Sequence, residues 1–146
     1  MILCIEAFHC LQSAQAMLAR AYGVLAEDGS LVIADAFDKS DVEAVESLFR
    51  QTGLGISKKE VITFNVKHAM QLDKPRVEKL IAQISGNPVA ARVLRNFLGS
   101  GEQSRAFEGL GRSKDYICYV LKHPRACESQ NGRRKESLIS GVGQQS

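Results

Sequence analysis

The sequence predicts an α/β fold in which parallel strands alternate with helices, as in one half of a doubly wound sheet. Residues 1–5 and 31–37 form two near-continuous apolar runs, as expected of strands that helices cover on both faces. Between them, residues 13–25 carry apolar side chains at helical spacing. A strand, a helix and a second strand with short connections make a right-handed βαβ unit, the repeating part of such a sheet.

The first strand, over residues 1–5, leads into a loop over residues 6–10 and then into the first helix. Ser13 is a suitable N-cap for this helix, because its hydroxyl can accept a hydrogen bond from an amide of the first turn. The helix is predicted to end near Leu25. Its apolar stripe consists of Ala14, Met17, Leu18, Ala21 and Leu25.

The second strand, over residues 31–37, follows a turn at residues 27–29 and contains one carboxylate, Asp35. Ligands of open α/β sheets gather beyond the carboxyl ends of the strands, which makes Asp35 a candidate functional residue. A carboxylate at such a position is also often a helix cap, and this second interpretation stays open.

The pattern of residues 38–110 predicts a mostly helical insertion, a lid over the carboxyl ends of the strands. Asp41 is a suitable cap for a helix that ends at Gly53. Residues 56–70 mix polar and apolar side chains and finish on a second helical pattern. Pro75 is expected to break that pattern and to begin a further helix.

Two more helices complete the predicted insertion. Asn87 and Pro88 repeat the start signal, and residues 99–101 separate the resulting helix from a short one that ends near Leu110. The apolar faces of these helices are expected to pack in a core, and lining of a substrate pocket is the alternative.

The last strand lies within residues 111–123 and is predicted at or near a sheet edge, antiparallel to its neighbour, because no crossover helix follows it. Residues 124–146 are polar, with too little apolar surface to offset the entropy of ordering, which predicts a disordered tail. The basic triplet at residues 133–135 also leaves open a nuclear or nucleic-acid signal.

The amino-acid composition and charge indicate which broad class of protein the chain belongs to. The chain has 146 residues, 45% of them hydrophobic and 24% charged, as in an ordinary soluble globular domain. Its net charge of +3 arises from Lys122 onward, so the globular part shows no basic excess of the kind a nucleic-acid binder carries. The four cysteines form no CxxC pair, which favours free thiols in a reducing, cytoplasmic compartment over zinc ligands or disulfides. No run is long enough to span a membrane.

Several segments together resemble the second half of a class I S-adenosylmethionine-dependent methyltransferase. Residues 3–11, 21–25 and 29–35 are similar to the segments around the fourth and fifth strands of that family. Residues 62–66 are similar to its D-I-T-x-N-V segment, and residues 107–122 to its closing helix, glycine and Tyr-containing strand. The likeness is greatest to the small-molecule branch with sterol, tocopherol and sugar O-methyltransferases. It implies a partial Rossmann-like methyltransferase fold with a helical lid, S-adenosylmethionine as cofactor and a small-molecule methyl acceptor.

The sequence also departs from that family. Gly23, Glu27 and Asp28 replace the arginine, proline and first glycine of its R-V-L-x-P-G-G segment, although Asp28-Gly29 still favours a turn. The chain contains no G-x-G-x-G, the loop that cradles the cofactor in the family. The expectation is therefore an incomplete domain, either a fragment of an enzyme or a catalytically inactive paralogue that serves as a partner-binding subunit. In both cases the first strand lacks a neighbour and is expected to be exposed for self-association or for a partner.

His9 and Asp35 are the candidate catalytic residues. They follow or end neighbouring parallel strands, whose backbones lie roughly 5 Å apart. An imidazole oriented by a carboxylate is a workable general base near neutral pH. The resemblance implies the same roles, because sugar O-methyltransferases similar to this sequence use a His–Asp pair at these motif positions. A structural hydrogen bond of His9 is the alternative.

Further candidates come with the resemblance. Ile5 and Glu6, at the end of the first strand, would contact the cofactor. Carbon methylation, in which Glu6 and Asp35 stabilise a cation, also stays open. The candidate substrate contacts are Glu6, Phe8, Phe37 and Asn65, of which the last three are weaker candidates that packing or capping explains better. No metal ligands are predicted.

Overall fold

The computed structural model of the chain describes residues 1–98 and 105–124. The predicted break at residues 99–101 and nearly all of the predicted disordered tail lie outside these residues. The strands are β1 (Ile2–Ile5), β2 (Leu31–Asp38), β3 (Gly55–Val61) and β4 (Lys114–Lys122). The helices are α1 (Ala14–Val24), α2 (Val42–Gln51), α3 (Thr63–Ile84), α4 (Pro88–Leu98) and α5 (Arg105–Gly109), and a 3₁₀ turn covers Phe8–Cys10.

The strands form one four-stranded sheet in the order β1-β2-β4-β3. β1 and β2 are parallel, with Ile2 level with Leu31 and Ile5 level with Ala34. The Ile2 and Glu6 amides donate to the carbonyls of Ser30 and Ala34, at 2.9 and 3.0 Å. The predicted βαβ unit and the α/β class are thereby confirmed.

The chain forms two compact units. In the part of the chain that the structure describes, the first consists of Met1–Asp35, Asp41–Glu60 and residues 118–124, and the second of Ala36–Ser40 and residues 61–98 and 105–117. Strands β2, β3 and β4 contribute residues to both. Among the described residues, no helix is both long and apolar enough to cross a membrane.

Helix α1 begins and ends where its sequence predicts. The Ser13 hydroxyl accepts a hydrogen bond from the Ala16 amide at 3.1 Å, which satisfies one of the free amides of the first turn. Leu18 and Ala21 of the predicted stripe are buried. Helix α2 follows Asp41, whose carboxylate makes no capping hydrogen bond, and it is followed by Gly53 at a φ of +83°.

The core of the first unit is aromatic at its centre. The Phe49 ring packs edge-on against the rings of Phe8 and Tyr119, with centroids 6.0 and 5.2 Å apart. Apolar side chains of β2 and the helices complete this core, among them Leu18, Leu31, Ile33 and Leu54. The burial of Phe8 matters for the site, because Phe8 begins the 3₁₀ turn after β1.

The last strand lies near the sheet edge, as predicted, but it does not form the edge itself. β4 lies between β2 and β3, and its residues Tyr116, Ile117, Tyr119 and Leu121 are buried. The edge is taken by β3, which the sequence did not predict as a strand. β3 carries the run Lys58-Lys59-Glu60 and is mostly exposed, so its sequence lacks the apolar alternation that marks a half-buried strand.

The predicted break at Pro75 is wrong, because α3 runs through it as one helix of 22 residues. A proline inside a helix removes the hydrogen bond to the carbonyl four residues earlier, here that of Gln71. Both Gln71 and Pro75 are exposed, so water can bond this carbonyl. Helix α3 is anchored on either side of the proline by Thr63 and Ile81, which are both buried.

Candidate active site

Asp35 is a buried carboxylate within β2, one residue beyond Ala34, which pairs with the last residue of β1. Asp35 is only 1% exposed, and the two residues before it, Ile33 and Ala34, belong to the apolar core. A buried carboxylate needs charged or hydrogen-bonding partners, since desolvation of an unpaired charge is costly. His9 supplies such partners from the neighbouring strand connection.

The 3₁₀ turn Phe8–Cys10 positions His9 over Asp35. Phe8 anchors the turn in the core against Phe49. The His9 amide donates to Asp35 Oδ2 at 3.1 Å, and His9 Nδ1 lies 2.8 Å from Oδ1 and 2.9 Å from Oδ2. The carboxylate thus holds both the backbone and the ring of His9.

The environment of the pair is asymmetric. The His9 side chain is 54% exposed, whereas that of Asp35 is 1% exposed. A carboxylate only accepts hydrogen bonds, so Nδ1 carries the proton and the lone pair of a neutral ring is on Nε2. The pair can therefore orient an accessible imidazole nitrogen as a proton acceptor.

Glu6 joins this pair from the end of β1. Its backbone has a φ of +53°, the one positive value among non-glycine residues of the described chain. Such conformations are costly for residues with a side chain and cluster at functional sites. Ligand atoms of Glu6, His9 and Asp35 all lie within 4.8 Å of one another.

These three residues are also the one group in the described part of the chain that is compact enough to hold a metal ion. Because Nδ1 of His9 is bound by the Asp35 carboxylate, an ion on this nitrogen would have to displace that hydrogen bond. That the chain has no metal ligands stays a prediction.

S-adenosylmethionine, which the resemblance implies, is not fitted by the described residues alone. The first unit carries an open cleft of about 550 Å³. The cleft is mostly apolar and excludes Glu6, His9 and Asp35; its lining is Ile2, Ser13, Ala16, Met17, Arg20, Ala21 and Val24. This cleft is therefore separate from the Glu6, His9 and Asp35 group, and the sequence contains no G-x-G-x-G.

The other predicted site residues are not gathered into this group. Ile5 ends β1 and is 55% exposed, whereas Phe8 is buried and packs on Phe49, as a core residue does. Phe37 and Asn65 belong to the second unit. Phe37 is buried there, and Asn65 is exposed in the first turn of α3.

A second polar group in the first unit was not predicted from the sequence. Glu46 Oε1 accepts hydrogen bonds from Lys59 Nζ at 2.6 Å and from the Tyr119 hydroxyl at 3.0 Å. The Lys59 hydrogen bond is the main cause that lowers the pKa of Glu46, and burial is the main cause that raises the pKa of Tyr119. The sequence did not predict this group because Lys59 lies on β3, which was not predicted as a strand.

Comparison with known proteins shows that the fold is similar to that of a solved structure. No family model and no curated protein matches the sequence. The chain is similar to the solved structure of phospholethanolamine N-methyltransferase 2 of Haemonchus contortus, in complex with phosphomonomethylethanolamine and S-adenosylhomocysteine. The TM-score is 0.61 at 14% sequence identity, over 82% of this chain. The match spans 32% of that protein, so this chain has the fold of about one third of it.

Proposed function

We propose that this chain is the acceptor-side part of an S-adenosylmethionine-dependent methyltransferase of the small-molecule branch. The observation that carries the proposal is the His9–Asp35 pair, a buried carboxylate of β2 bound to an exposed imidazole, just beyond the carboxyl end of the parallel strand β1. This is the edge of an α/β sheet at which ligands bind. The likeness of the fold to a methyltransferase supports the same activity class.

In this proposal His9 is the general base. In a completed domain, S-adenosylmethionine would supply the methyl group. The acceptor presents a hydroxyl to His9, whose Nε2 takes the proton. Asp35 keeps Nδ1 protonated and stabilises the imidazolium that forms. Glu6, strained and exposed beside the pair, is a contact for the acceptor or the cofactor.

An inactive paralogue that binds a partner is the second candidate. The absence of G-x-G-x-G from the sequence favours it. Under either proposal the free thiols of Cys4, Cys10 and Cys118 support a reducing, cytoplasmic compartment.

The test requires a completed domain. An upstream in-frame segment with G-x-G-x-G, or the N-terminal half of a small-molecule methyltransferase, is fused to this chain, and methyl transfer from labelled S-adenosylmethionine is measured on a panel of hydroxyl acceptors. His9→Ala should lower turnover roughly 10²–10⁴-fold, the contribution of a positioned general base.

His68→Ala is the matched control, because His68 is an exposed histidine of the second unit that stacks on Phe64. It should leave turnover unchanged. An unchanged rate in His9→Ala at neutral pH would return His9 to a structural role. Absence of any transfer by the completed, folded wild type would favour the inactive paralogue.

A further inference from the structure

The hairpin of α3 and α4 over residues 73–95, called here the α3–α4 hairpin, exposes aliphatic side chains where soluble helices normally expose polar ones. On α3, Leu80 and Ile84 are 41% and 67% exposed. On α4, Val89 and Val93 are 69% and 62% exposed. The members of each pair are four residues apart and therefore share one face of their helix.

The same hairpin is locally basic, although the globular part as a whole is balanced. It contains five cations and only two carboxylates, and α4 over residues 88–98 has no carboxylate at all. Both carboxylates are paired within the hairpin. Arg76 binds Asp73 at 2.6 Å, and Arg95 binds Glu78 at 2.9 Å.

Three cations remain available for an external anion. Lys74, Lys79 and Arg92 are exposed and have no carboxylate partner among the described residues. Lys79 is adjacent in sequence to exposed Leu80, and Arg92 to exposed Val93. Unpaired positive charge thus borders the aliphatic side chains on both helices.

We propose that the α3–α4 hairpin docks on the surface of an anionic lipid bilayer. Helices that lie in the interface combine an apolar face with Lys and Arg on their polar side, and they gain from both burial and attraction to anionic lipids. Helix α4 has 11 residues, about half the length needed to cross a bilayer, so it would lie along the surface.

A protein partner is the less favoured occupant. Protein interfaces concentrate their binding energy in aromatic and arginine anchors seated in pockets. The exposed apolar side chains described on the hairpin are aliphatic, and two of the three unpaired cations are lysines. This surface lies in the second unit, and the proposal does not depend on methyl transfer.

The chain contains no tryptophan, so a single introduced tryptophan reports its own surroundings. Val93→Trp places the reporter on α4. Val24→Trp is the matched control, because Val24 is a 76% exposed valine on α1 of the first unit. The full-length variants are titrated with phosphatidylcholine vesicles and with vesicles containing about a third phosphatidylglycerol, after circular dichroism has shown that both are folded.

We expect the emission of Val93→Trp to shift to the blue with the anionic vesicles and not with the phosphatidylcholine vesicles. Added salt should reduce this shift. The emission of Val24→Trp should not shift with either vesicle type. In the Val93→Trp background, Arg92→Gln should weaken vesicle binding about fivefold, which corresponds to about 1 kcal/mol for one basic residue near the surface. Arg20→Gln, at an exposed arginine of α1, should leave the binding unchanged. The unsubstituted chain should co-sediment with anionic vesicles.

Three results would overturn the proposal. The first is a folded Val93→Trp protein that shows no shift, or the same shift with both vesicle types. The second is equal behaviour of the α4 variants and their α1 controls. The third is a Val93→Asp variant that converts an oligomer into a monomer in the absence of lipid, since this would assign the surface to a second copy of the chain.

Discussion

Glu6 has a left-handed backbone conformation directly after β1, beside His9 and Asp35. For a residue with a side chain this conformation costs roughly 1–2 kcal/mol, and glycine adopts it without that cost. Glu6→Gly should therefore leave the free energy of unfolding unchanged or raise it by up to about 1 kcal/mol, because the larger entropy of unfolded glycine offsets part of the relief. Urea titration measures the difference.

The β-branched substitution Glu6→Val is the companion variant, and it should destabilise the chain, because its side chain tolerates this conformation least. Loss of more than about 1 kcal/mol in Glu6→Gly would mean that the carboxylate holds the fold, which argues against strain retained for function.

Glu46 gives the first unit a defined dependence on pH. Its pKa is lowered in the folded chain, first by the hydrogen bond from Lys59, so its contribution to stability is present above the ordinary glutamate pKa of about 4.3 and is lost as the pH falls through the folded pKa. Glu46→Gln should reduce the free energy of unfolding by about 1 kcal/mol at pH 7, and the difference from wild type should vanish in acid.

Thermal or urea unfolding between pH 7 and pH 3 measures this convergence. Glu27→Gln, at an exposed carboxyl group of the turn before β2, is the control and should run parallel to the wild type. If Glu46→Gln reduced the free energy of unfolding equally at pH 7 and at pH 3, the stabilisation by Glu46 would not be electrostatic.

At the scale of the element, β1 is an edge strand with an open backbone. Ile2 and Glu6 donate their amides to the β2 side, and backbone groups alternate in direction along a strand, so Leu3 and Ile5 present theirs to the other side. Leu3 and Ile5 are also 55% exposed each. Such an edge is a template for another strand. We therefore expect the isolated chain to self-associate or to need a partner through Ile2–Ile5.

Sedimentation tests this expectation. The wild-type mass should rise with concentration, and the double variant Leu3→Lys, Ile5→Lys should remain monomeric, because charges on an edge strand oppose pairing. Leu72→Lys, at a 69% exposed leucine of the second unit, should behave as the wild type. A compact wild-type monomer with a concentration-independent melting temperature would count against the idea.

At the scale of the whole molecule, the chain has the fold of only 32% of the methyltransferase that it resembles. It lacks a G-x-G-x-G, and its apolar cleft is lined by residues other than the His9 group. We therefore expect no measurable binding of S-adenosylmethionine to the isolated chain. Isothermal titration calorimetry measures this directly, and a micromolar dissociation constant would show that the chain carries its own cofactor site.

The sequence by itself determined the βαβ unit, because each of its signals is local. The Ser13 cap, the apolar stripe of the first helix and the turn at residues 27–29 act within a few residues of the structure that they specify. The same locality predicted that the ends of β1 and β2 lie side by side, since consecutive strands of such a unit are parallel neighbours. The catalytic roles of His9 and Asp35 stay a prediction.

Tertiary structure decided the rest. Residues 55–61 carry three consecutive charged side chains and form a strand only by pairing at the sheet edge, which in turn moves β4 inward. Helix α3 continues through Pro75, with Thr63 and Ile81 buried on either side of the proline. Burial of an apolar side chain such as Ile81 is worth about 1.5–3 kcal/mol, the same order as the cost of a proline inside a helix. The hold of Asp35 on His9 depends on Phe8 packing against Phe49, more than forty residues away along the chain. Long-range packing of this kind leaves no local pattern in the sequence.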